Sequence, residues 1–340
     1  MSDETITILA IESSCDDTGA AVIHNRKILA NIIARQEIHE KYGGVVPELA
    51  SRAHQQNIIP TVDVALKTAG IAKENLDAIA YTRGPGLMGS LLVGGTFAKA
   101  LSLALNIPLI EVNHMHGHIM AHFIDDNGKK TPEFPFICLT VSGGHTQLVL
   151  CKSYFEMEII GDTNDDAAGE AFDKAAKILE LPYPGGPLID KYGKDGDIHK
   201  FQFPKPQIAD YNYSFSGLKT SFLYFIEKNK KANPNFITEN LNDICASYQH
   251  AIVSFLLNKL KKAANDLGIK QIAIAGGVSA NSYLRNELSL LAQKENWEVY
   301  IPKFEYCTDN AAMIAITAHY KFINKDFSNQ KNASLARMSF

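Results

Sequence analysis

Short apolar runs interrupted by polar turns predict that the chain begins with three β-strands. The runs TITILAI, GAAVIHN and KILANIIA are rich in β-branched and aliphatic residues, and the turns ESSCDDT and NRK separate them. Helical spacing of apolar residues then predicts helices over about 48–68 and 87–105, with the strand DAIAYT between them and the strand PLIEV after them. The expected order of elements in this part of the chain is βββαβαβ.

The same order of elements begins again in the second half of the chain. The strands FPFICLTV, TQLVLCK and EMEIIGD precede a helix at about 170–179, the strand QIAIAGG precedes a helix at about 279–294, and the strand EVYIP precedes a last helix at about 308–323. A duplicated βββαβα unit is therefore expected, although the two halves share little residue identity. We assign 1–112 and the last helix to an N-terminal lobe, and 113–307 to a C-terminal lobe.

An insert at 182–235 interrupts the pattern of the C-terminal lobe. It contains Gly, Pro and aromatic residues, with 8 Lys against 5 Asp and Glu, and is the best candidate for a basic, aromatic contact surface for nucleic acid. An ordinary irregular segment with solvated lysines would have the same composition, so both interpretations stay open. The last residues, 324–340, are polar and are expected to form a frayed tail.

The overall composition is that of a globular protein without a general affinity for nucleic acid. The chain has 340 residues, of which 46% are hydrophobic and 21% charged, so it can bury sizeable cores in two globular units. The formal net charge of -4 provides no basic field. A nucleic acid would therefore have to contact a local patch or partner subunits.

Cysteine usage and the apolar segments predict a cytoplasmic protein that does not enter a membrane. Five cysteines without a CxxC pair are typical of a reducing compartment, and the first residues lack the pattern of a signal peptide. The run GLMGSLLVGGTFAKALSLALNIPLI is long and apolar, but Lys99 lies at its centre and a Gly-Pro-Gly turn comes just before it. A buried helix is the expected structure for this run.

Three glycine turns follow strands, in the segments CDDTG at 15–19, SGGHT at 142–146 and AGGVSAN at 275–281. Glycine lets backbone N–H groups approach an anion closely, and Ser279 can cap the helix that follows the third turn. Each turn alone is explained by the needs of a tight hairpin. Two of them occupy equivalent places in the repeated unit, and the three together predict a nucleotide held between the two halves.

A fourth turn, GPGLMG at 84–89, fits the G-x-G-x-x-G pattern of dinucleotide-binding proteins. It follows a predicted strand, opens a predicted helix, and has Glu111 at the end of the next strand. The motif does not lie in the first βα unit, however, and the pair Gly94 and Gly95 within the helix indicates close helix packing. A nicotinamide oxidoreductase is therefore kept as an alternative.

The segment NHMHGHIMAH at 113–122 contains four histidines. If it is helical, His114 and His118 lie on one face, His122 continues that face, and His116 points about 200° away. The metalloprotease pattern H-E-x-x-H is absent, so a protease would lack its general base. Together with a distant carboxylate such as Asp309, two histidines could hold iron or zinc with open coordination positions. Alternatively, the histidines are buried helix residues and Asp309 caps its helix.

Eight motifs, read in order, indicate a family. They are IESSCDDT, TRGPGLMGSLLVG, HMHGHIMAH, LTVSGGHTQL, GEAFDKAAKILEL, PYPGGPLID, SFSGLKT and AIAGGVSAN. Over about 5–320, this chain closely resembles the TsaD family, the tRNA N(6)-adenosine threonylcarbamoyltransferases once labelled glycoproteases. The resemblance implies an α/β fold of the actin, sugar kinase and heat-shock ATPase type, with duplicated βββαβα units in two lobes around a nucleotide cleft.

The resemblance also implies an activity and its participants. Members of this family transfer the threonylcarbamoyl group of threonylcarbamoyl-AMP to the exocyclic amine of the adenosine 3′ of the anticodon, in tRNAs that read codons starting with A, and AMP is released. Bacterial relatives act with the partners TsaB and TsaE, beside TsaC, which makes the adenylate. The implied ligands of one Fe²⁺ or Zn²⁺ ion are His114, His118 and Asp309. The residues implied to line the adenylate site are Val141, Ser142, Gly143, Gly144, His145, Asp173, Gly186, Asp190 and Asn281.

The chain departs from the family pattern at His116, where the family commonly has Glu in H-x-E-G-H. Both implied ligand positions are kept, so we expect the metal site to be kept as well. Archaeal and eukaryotic relatives have Tyr just before the VSGG turn, whereas this chain has Thr140 and resembles the bacterial branch.

The chemistry of this donor needs no enzyme nucleophile, because a mixed carbamoyl-phosphate anhydride already contains a leaving group. The protein has to position both reactants and stabilise the charge on the departing phosphate. Asp16 and Asp17 are candidates for a general base only through their place in the first glycine turn, and turn residues that accept backbone hydrogen bonds would look the same. The alternatives are a metal-dependent glycoprotein endopeptidase, a nucleotide-dependent kinase on the same fold, and a scaffold that binds only a protein partner.

Overall fold

The computed structural model describes residues 5–126 and 128–340. The chain divides into two compact units. Unit 1 consists of Met1–Thr131 together with Lys303–Phe340, and unit 2 is Pro132–Pro302. The first four residues of the predicted N-terminal lobe lie outside the described residues.

Unit 1 is built on a five-stranded sheet with the order β3-β2-β1-β4-β5, in which β1, β2 and β3 are antiparallel and β4 and β5 run parallel to β1. Its elements are β1 (Thr7–Glu12), β2 (Thr18–His24), β3 (Lys27–Ala34), α1 (Pro47–Ala69), β4 (Ala78–Gly84), α2 (Met88–Leu105), β5 (Leu109–Asn113) and α3 (His114–Met120). Leu9 and Ile11 of β1 pack in one cluster with residues of α1 and α2. Every residue of β1 is buried, as expected for a strand in the middle of a covered sheet.

Unit 2 repeats this arrangement. Its elements are β6 (Phe136–Val141), β7 (Thr146–Cys151), β8 (Met157–Asp162), α4 (Ala168–Ile178), α5 (Gly185–Gly193), α6 (Ser216–Ala232), α7 (Phe236–Leu267), β9 (Gln271–Ala275), α8 (Ser282–Glu295) and β10 (Glu298–Tyr300). The sheet order is β10-β9-β6-β7-β8, which read from the other edge is the order of the first sheet. The last helix, α9 (Ala311–Ile323), belongs to unit 1. The predicted duplication is confirmed.

The predicted insert contains two helices and packs against the core of unit 2. Tyr213, Phe215 and Phe222 are fully buried in the same cluster as residues of α7. These rings cannot stack on nucleic-acid bases, so the prediction of an aromatic contact surface is wrong for them. Lys200 and Lys219 of the insert form ion pairs with carboxylates of unit 2.

The helix of the histidine segment lies in unit 1, whereas the sequence analysis placed 113–120 in the C-terminal lobe. The physical reason is the packing of α3 on α9. A Cβ built on Gly117 would lie 3.1 Å from Ile314 and 3.2 Å from Met313, so a larger residue would require these side chains to shift by a few tenths of an ångström. Two segments distant in sequence are thereby brought together.

The last residues form hydrogen bonds along unit 1, which differs from the expected fraying. The backbone N–H of Leu335 donates to the carbonyl of Arg83 at 2.9 Å, and Ser328 N–H donates to the carbonyl of Leu109 at 2.7 Å. The side-chain amide of Asn332 donates to Glu111 at 2.7 Å. The polar residues of this segment are therefore partners of β4 and β5 and not a solvated tail.

Helix α2 is long and apolar enough to cross a membrane by length and composition alone. It packs against α1 and β4 of unit 1, and Lys99 at its centre donates to the carbonyl of Asn332. A core helix of a globular protein satisfies the same criteria of length and composition. One face of α2 is packed in this way, whereas Leu92 and Leu103 are exposed, so the prediction of a buried helix holds only for part of its residues.

Candidate metal centre and nucleotide-binding residues

The end of β5 positions His114 and His118. Asn113 caps α3, because its side-chain oxygen accepts from the N–H groups of Met115 at 2.8 Å and His116 at 3.4 Å. The helix therefore begins directly after the strand, and His114 and His118 lie one turn apart, with ring centroids 4.8 Å apart and ring planes at 89°. The predicted pairing of these two imidazoles is confirmed.

Asp309 lies just before α9 and faces both rings. Its Oδ1 is 3.3 Å from Nε2 of His114 and 3.3 Å from Nε2 of His118. The cap of α9 is the next residue, Asn310, whose side chain accepts from the N–H of Met313 at 3.0 Å. The alternative that Asp309 serves as the helix cap is therefore wrong, and its carboxylate is available for another role.

These three side chains suit a metal ion. Each of the three offers one ligand atom, and these atoms lie within 4.8 Å of one another. Among the described residues, His114, His118 and Asp309 form a cluster of metal-ligating side chains that could hold an ion. His118 is 1% exposed, and its Nε2 has no well-aligned hydrogen bond in the described part of the chain. Such a buried, unused lone pair is what a metal would satisfy. Two nitrogens and a carboxylate leave coordination positions open for a substrate.

The charges around the site keep a proton on one of the histidines. Burial alone would lower the pKa of His114, but Asp309 and Glu12 outweigh it and raise this pKa well above its usual value. Burial alone would raise the pKa of Asp309, but the nearby His114 has the larger effect and lowers this pKa well below its usual value. Burial dominates at His118 and lowers its pKa. A metal would therefore displace a proton from His114 and meet a neutral His118.

The other histidines of the segment do not join this group. His116 points to the opposite side, where its ring packs against Phe340 with centroids 4.6 Å apart. Burial, with a smaller effect of Lys321, lowers the pKa of His116 to about 4, so it is neutral near pH 7. His122 lies in the short turn of helix that follows α3 and is not a member of the ligand group. The replacement of the family's Glu by His116 leaves the predicted ligands unchanged.

The first glycine turn carries two carboxylates beside the metal centre. Burial raises the pKa of Asp17 to about 6, with help from the charges of Asp16 and Asp309. Asp17 also accepts a 3.3 Å hydrogen bond from the backbone N–H of Gln36. It therefore has the structural role that a turn aspartate is expected to have, and a pKa that would allow proton transfer near neutral pH.

In unit 2, the turn after β6 is closed by its own residues and open on its outer side. Ser142 N–H donates to the carbonyl of His145 at 2.8 Å, and His145 N–H donates to the Ser142 hydroxyl at 3.2 Å. Gly143 and Gly144 are exposed, and a Cβ added to either would meet no described atom within 4 Å. At Gly169, in the first turn of α4, a Cβ would instead lie 2.5 Å from the Ser142 carbonyl oxygen. The α4 N-terminus is thus pressed against this turn.

Asp173 of α4 holds the beginning of α5. Its Oδ1 accepts from the N–H groups of Gly185 and Gly186, each at 3.0 Å. Burial raises the pKa of Asp173, while these two N–H groups favour its charged form. Asp173 and Gly186, which the family resemblance placed in one site, are therefore in direct contact.

Asn281 and Asp190 meet at the start of α8. Asn281 caps this helix by accepting from Leu284 N–H at 2.8 Å, and its amide donates to Gln249 at 2.7 Å. Asp190 of α5 accepts from the N–H of Ser282 at 3.1 Å and from its hydroxyl at 2.8 Å. Both carboxylate oxygens of Asp190 are used in this way, so it fixes the helix start.

Close contacts connect the turns after β6 and β9 with α4, α5 and α8 of unit 2, and these five segments together form a ring of contacts. Gly276 adopts φ +85°, and a Cβ there would clash with the Val141 carbonyl, which ties the turn after β9 to β6. The turn after β9 continues to Asn281, which caps α8. The start of α8 is bonded to Asp190 of α5, and the start of α5 is bonded to Asp173 of α4. The nine residues implied by the resemblance all belong to this ring or to the turn that closes it. Gly276 belongs to the glycine turn predicted at 275–281. Gly169, Ser282 and Gln249 contact Ser142, Asp190 and Asn281 and were not predicted, because contacts between distant segments have no local signal in the sequence.

The glycines of GPGLMG have a different use. A Cβ at Gly84 would clash with the carbonyl of Leu335, and a Cβ at Gly86 would clash with Ser14. The carboxylate of Glu111 accepts hydrogen bonds from three side chains of its own unit. The glycines of this motif allow close backbone packing within unit 1, and Glu111 is hydrogen-bonded there. The oxidoreductase alternative is therefore not supported.

The two sheets of equal strand order define an α/β protein of the actin, sugar kinase and heat-shock ATPase class, as predicted. The structure is similar to HypF of T. kodakarensis, with a TM-score of 0.61 and 13% sequence identity, over 98% of this chain and 51% of that chain. This likeness concerns the fold alone.

The sequence identifies the family. The family model of TsaD, described as tRNA N6-adenosine threonylcarbamoyltransferase, matches residues 27–316. The chain is 60% identical over 340 residues to the tRNA N6-adenosine threonylcarbamoyltransferase of Christiangramia forsetii, covering 100% of both chains. It is also 60% identical over 330 residues to the protein of that name from Riemerella anatipestifer, covering 97% of each. The chain belongs to the TsaD family, and the resemblance inferred from the motifs is confirmed.

Proposed function

We propose that this chain transfers the threonylcarbamoyl group of threonylcarbamoyl-AMP to the exocyclic amine of the adenosine 3′ of the anticodon, in tRNAs that read codons starting with A. The amine nitrogen forms a bond to the carbamoyl carbon, the bond from that carbon to the phosphate oxygen breaks, and AMP leaves as the amine loses a proton. The observation that carries the proposal is the convergence of His114, His118 and Asp309 in a chain of this family.

The residues of unit 2 would bind the adenylate part of the donor. Gly143 and Gly144 are exposed, and a Cβ added to either would meet no described atom within 4 Å, so a phosphate could approach this turn closely. Asp173 and Asn281 hold the starts of α5 and α8, where helix N-termini favour negative charge. We infer that the other residues of the ring, among them Val141, His145, Gly186 and Asp190, position these groups.

The residues of unit 1 would hold one Fe²⁺ or Zn²⁺ ion. His114, His118 and Asp309 supply nitrogen and oxygen ligands that both metals accept. When bound, such an ion would supply Lewis acidity that neutralises negative charge on oxygen atoms that coordinate it. His118 is already neutral and buried, and Asp309 is already ionised, so both are prepared to bind a cation.

Family membership supports the remaining participants. We infer that the chain acts on tRNA in the cytoplasm, with TsaB and TsaE as protein partners and TsaC as the source of the donor. The lysines of the insert are a weaker candidate for tRNA contact than their number suggests, because Lys200, Lys219 and Lys230 are each paired with a carboxylate.

The alternative activities have less support. Glu12, which contacts His114, is 1% exposed and already accepts from Ser14 and Thr82, so it is not free to act as the base of an endopeptidase, and the named relatives are threonylcarbamoyltransferases. A kinase on this fold would transfer the terminal phosphate of ATP, and the named relatives are threonylcarbamoyltransferases.

Replacing the ligands tests the proposal. We expect His114→Ala and His118→Ala each to lose bound metal, because two ligands cannot hold the ion tightly, and to lower threonylcarbamoyl transfer at least about 100-fold. Metal content by elemental analysis and transfer to tRNA with purified partners measure both effects. His116→Ala is the matched control and should keep its metal. Full transfer by a metal-free ligand variant would contradict the proposal.

A further inference from the structure

Glu12 is a fully buried carboxylate directly behind the candidate metal ligands. It lies at the end of β1 and is 1% exposed. Its Oε1 accepts from the backbone N–H of Ser14 at 2.5 Å, and its Oε2 accepts from the hydroxyl of Thr82 at 2.5 Å. The same Oε2 lies 3.2 Å from Nδ1 of His114. Three donors around two oxygens fit an anionic acceptor held in one orientation.

The fold places these groups together. Ile11 of β1 is paired with Tyr81 of the parallel strand β4, so the next residues, Glu12 and Thr82, lie side by side. Strand β5 is parallel to β4 and ends at Asn113, immediately before His114. Because the carboxyl ends of parallel strands meet at one edge of a sheet, the carboxylate and the imidazole come into contact.

The direction of the hydrogen bond determines which nitrogen of His114 keeps its proton when the imidazole becomes neutral to bind a metal. An ionised carboxylate only accepts, so the proton of this contact belongs to Nδ1 of His114. The Ser14 hydroxyl, 3.2 Å from the same nitrogen, can accept from it as well. The lone pair of the neutral imidazole is then on Nε2, which is the nitrogen 3.3 Å from Asp309. His118 differs, because its Nδ1 has no hydrogen-bond partner among the described residues.

We propose that Glu12 is a positioning residue of the metal centre. Its carboxylate holds the Nδ1–H tautomer and the ring orientation of His114, and thereby directs Nε2 towards the metal. The inference rests on the proposed metal site. It concerns the affinity and geometry of that site, and assigns to Glu12 no contact with substrate.

Glu12→Gln is the decisive variant because it keeps the size of the side chain. Its amide can donate to Nδ1, which moves the proton of His114 to Nε2, where it competes with a metal. We expect the Kd for Zn²⁺ to rise about 10–100-fold, and the visible absorption spectrum of the Co²⁺-substituted protein to change. Glu111→Gln is the matched control: it removes the charge of a partly buried carboxylate of unit 1 that is paired with Arg83, and should leave both readouts as in the wild type.

The outcomes separate this inference from the proposed function. If the wild type binds no Zn²⁺ or Co²⁺, the metal site itself is refuted. If the wild type binds both and Glu12→Gln has the same affinity and the same Co²⁺ spectrum, the site stands and the role of Glu12 is overturned. If Glu12→Gln does not fold, Glu12→Asp decides, because it keeps the charge but withdraws the carboxylate from Nδ1 of His114: a changed Co²⁺ spectrum supports the inference, and an unchanged one overturns it.

Discussion

At the scale of single residues, Asp17 gives the most direct link between burial and stability. Its pKa in the folded protein is about 6, raised mainly by burial and by neighbouring carboxylates. The pKa of an aspartate in the unfolded chain is about 3.9. Between these values the folded state holds a proton that the unfolded state has lost. The free energy of unfolding therefore falls as the pH rises through this window, and the loss is complete above about pH 6.

Asp17→Asn should remove this pH-dependent loss. The asparagine oxygen can still accept from Gln36 N–H, so the turn is kept. We expect the metal-free variant to be more stable than the metal-free wild type by about 1–2 kcal/mol at pH 8, with little difference at pH 4. Urea denaturation at both pH values measures the difference. An equal gain at both would mean that the effect does not come from the titration of Asp17.

Sequence spacing predicted some site residues and could not predict others. His114 and His118 lie four positions apart, and helix geometry alone places them on one face. Glu12 contacts His114 across 102 positions, a contact that depends on the order of three parallel strands in the sheet. Local patterns carry no information about such a neighbour. Asp309 and the glycine turns of unit 2 were candidates from their residue types, but only the family resemblance indicated Asp173, Gly186 and Asp190, because their spacing along the chain has no regular period.

At the scale of elements, α3 is short and depends on its cap. The helix has 7 residues, and Asn113 satisfies two of its first N–H groups while its amide donates to the carbonyl of Ser339 at 2.9 Å. Isolated helices of this length are not stable, so the cap and the packing on α9 determine where His114 and His118 lie.

Asn113→Ala should therefore affect both stability and metal binding. We expect a loss of about 1–2 kcal/mol in the free energy of unfolding, together with weaker Zn²⁺ binding, because the first turn that carries His114 loses its fixed start. Asn281→Ala is the matched control: it removes the cap of α8 in unit 2 and should lower stability without changing Zn²⁺ affinity. Urea denaturation and Zn²⁺ titration give the two values. Unchanged Zn²⁺ affinity in Asn113→Ala would show that the cap does not position the ligands.

The elements themselves were predicted where apolar periodicity was strong. The predicted helices at 48–68 and 87–105 correspond to α1 (Pro47–Ala69) and α2 (Met88–Leu105). The sequence analysis placed no element over α7, although it has 32 residues and forms much of the core of unit 2. The insert was interpreted as a candidate contact surface from its Gly, Pro, aromatic and Lys content, whereas Tyr213, Phe215 and Phe222 are buried and Tyr224 is exposed. Composition averaged over a segment does not show which of its residues face the core.

At the scale of the whole molecule, the order of elements predicted the duplication because each βββαβα unit has the same strand order in its sheet. The assignment of segments to units was less predictable. The histidine helix and the last residues both belong to unit 1, through contacts of α3 with α9 and of the last segment with β4 and β5. Contacts between segments 200 or more positions apart, such as the one between Lys321 and Glu111 at a separation of 210, have no signature in a local pattern.

A metal held by His114, His118 and Asp309 is, we propose, required for threonylcarbamoyl transfer. The most direct measurement is single-turnover transfer to tRNA, with purified partners and donor, by protein stripped of metal with a chelator and by the same protein after stoichiometric Fe²⁺ or Zn²⁺ is restored. We predict that transfer falls at least about 100-fold on stripping and returns on restoration, and that His118→Ala cannot be restored. Transfer at the full rate by the stripped protein would contradict the account.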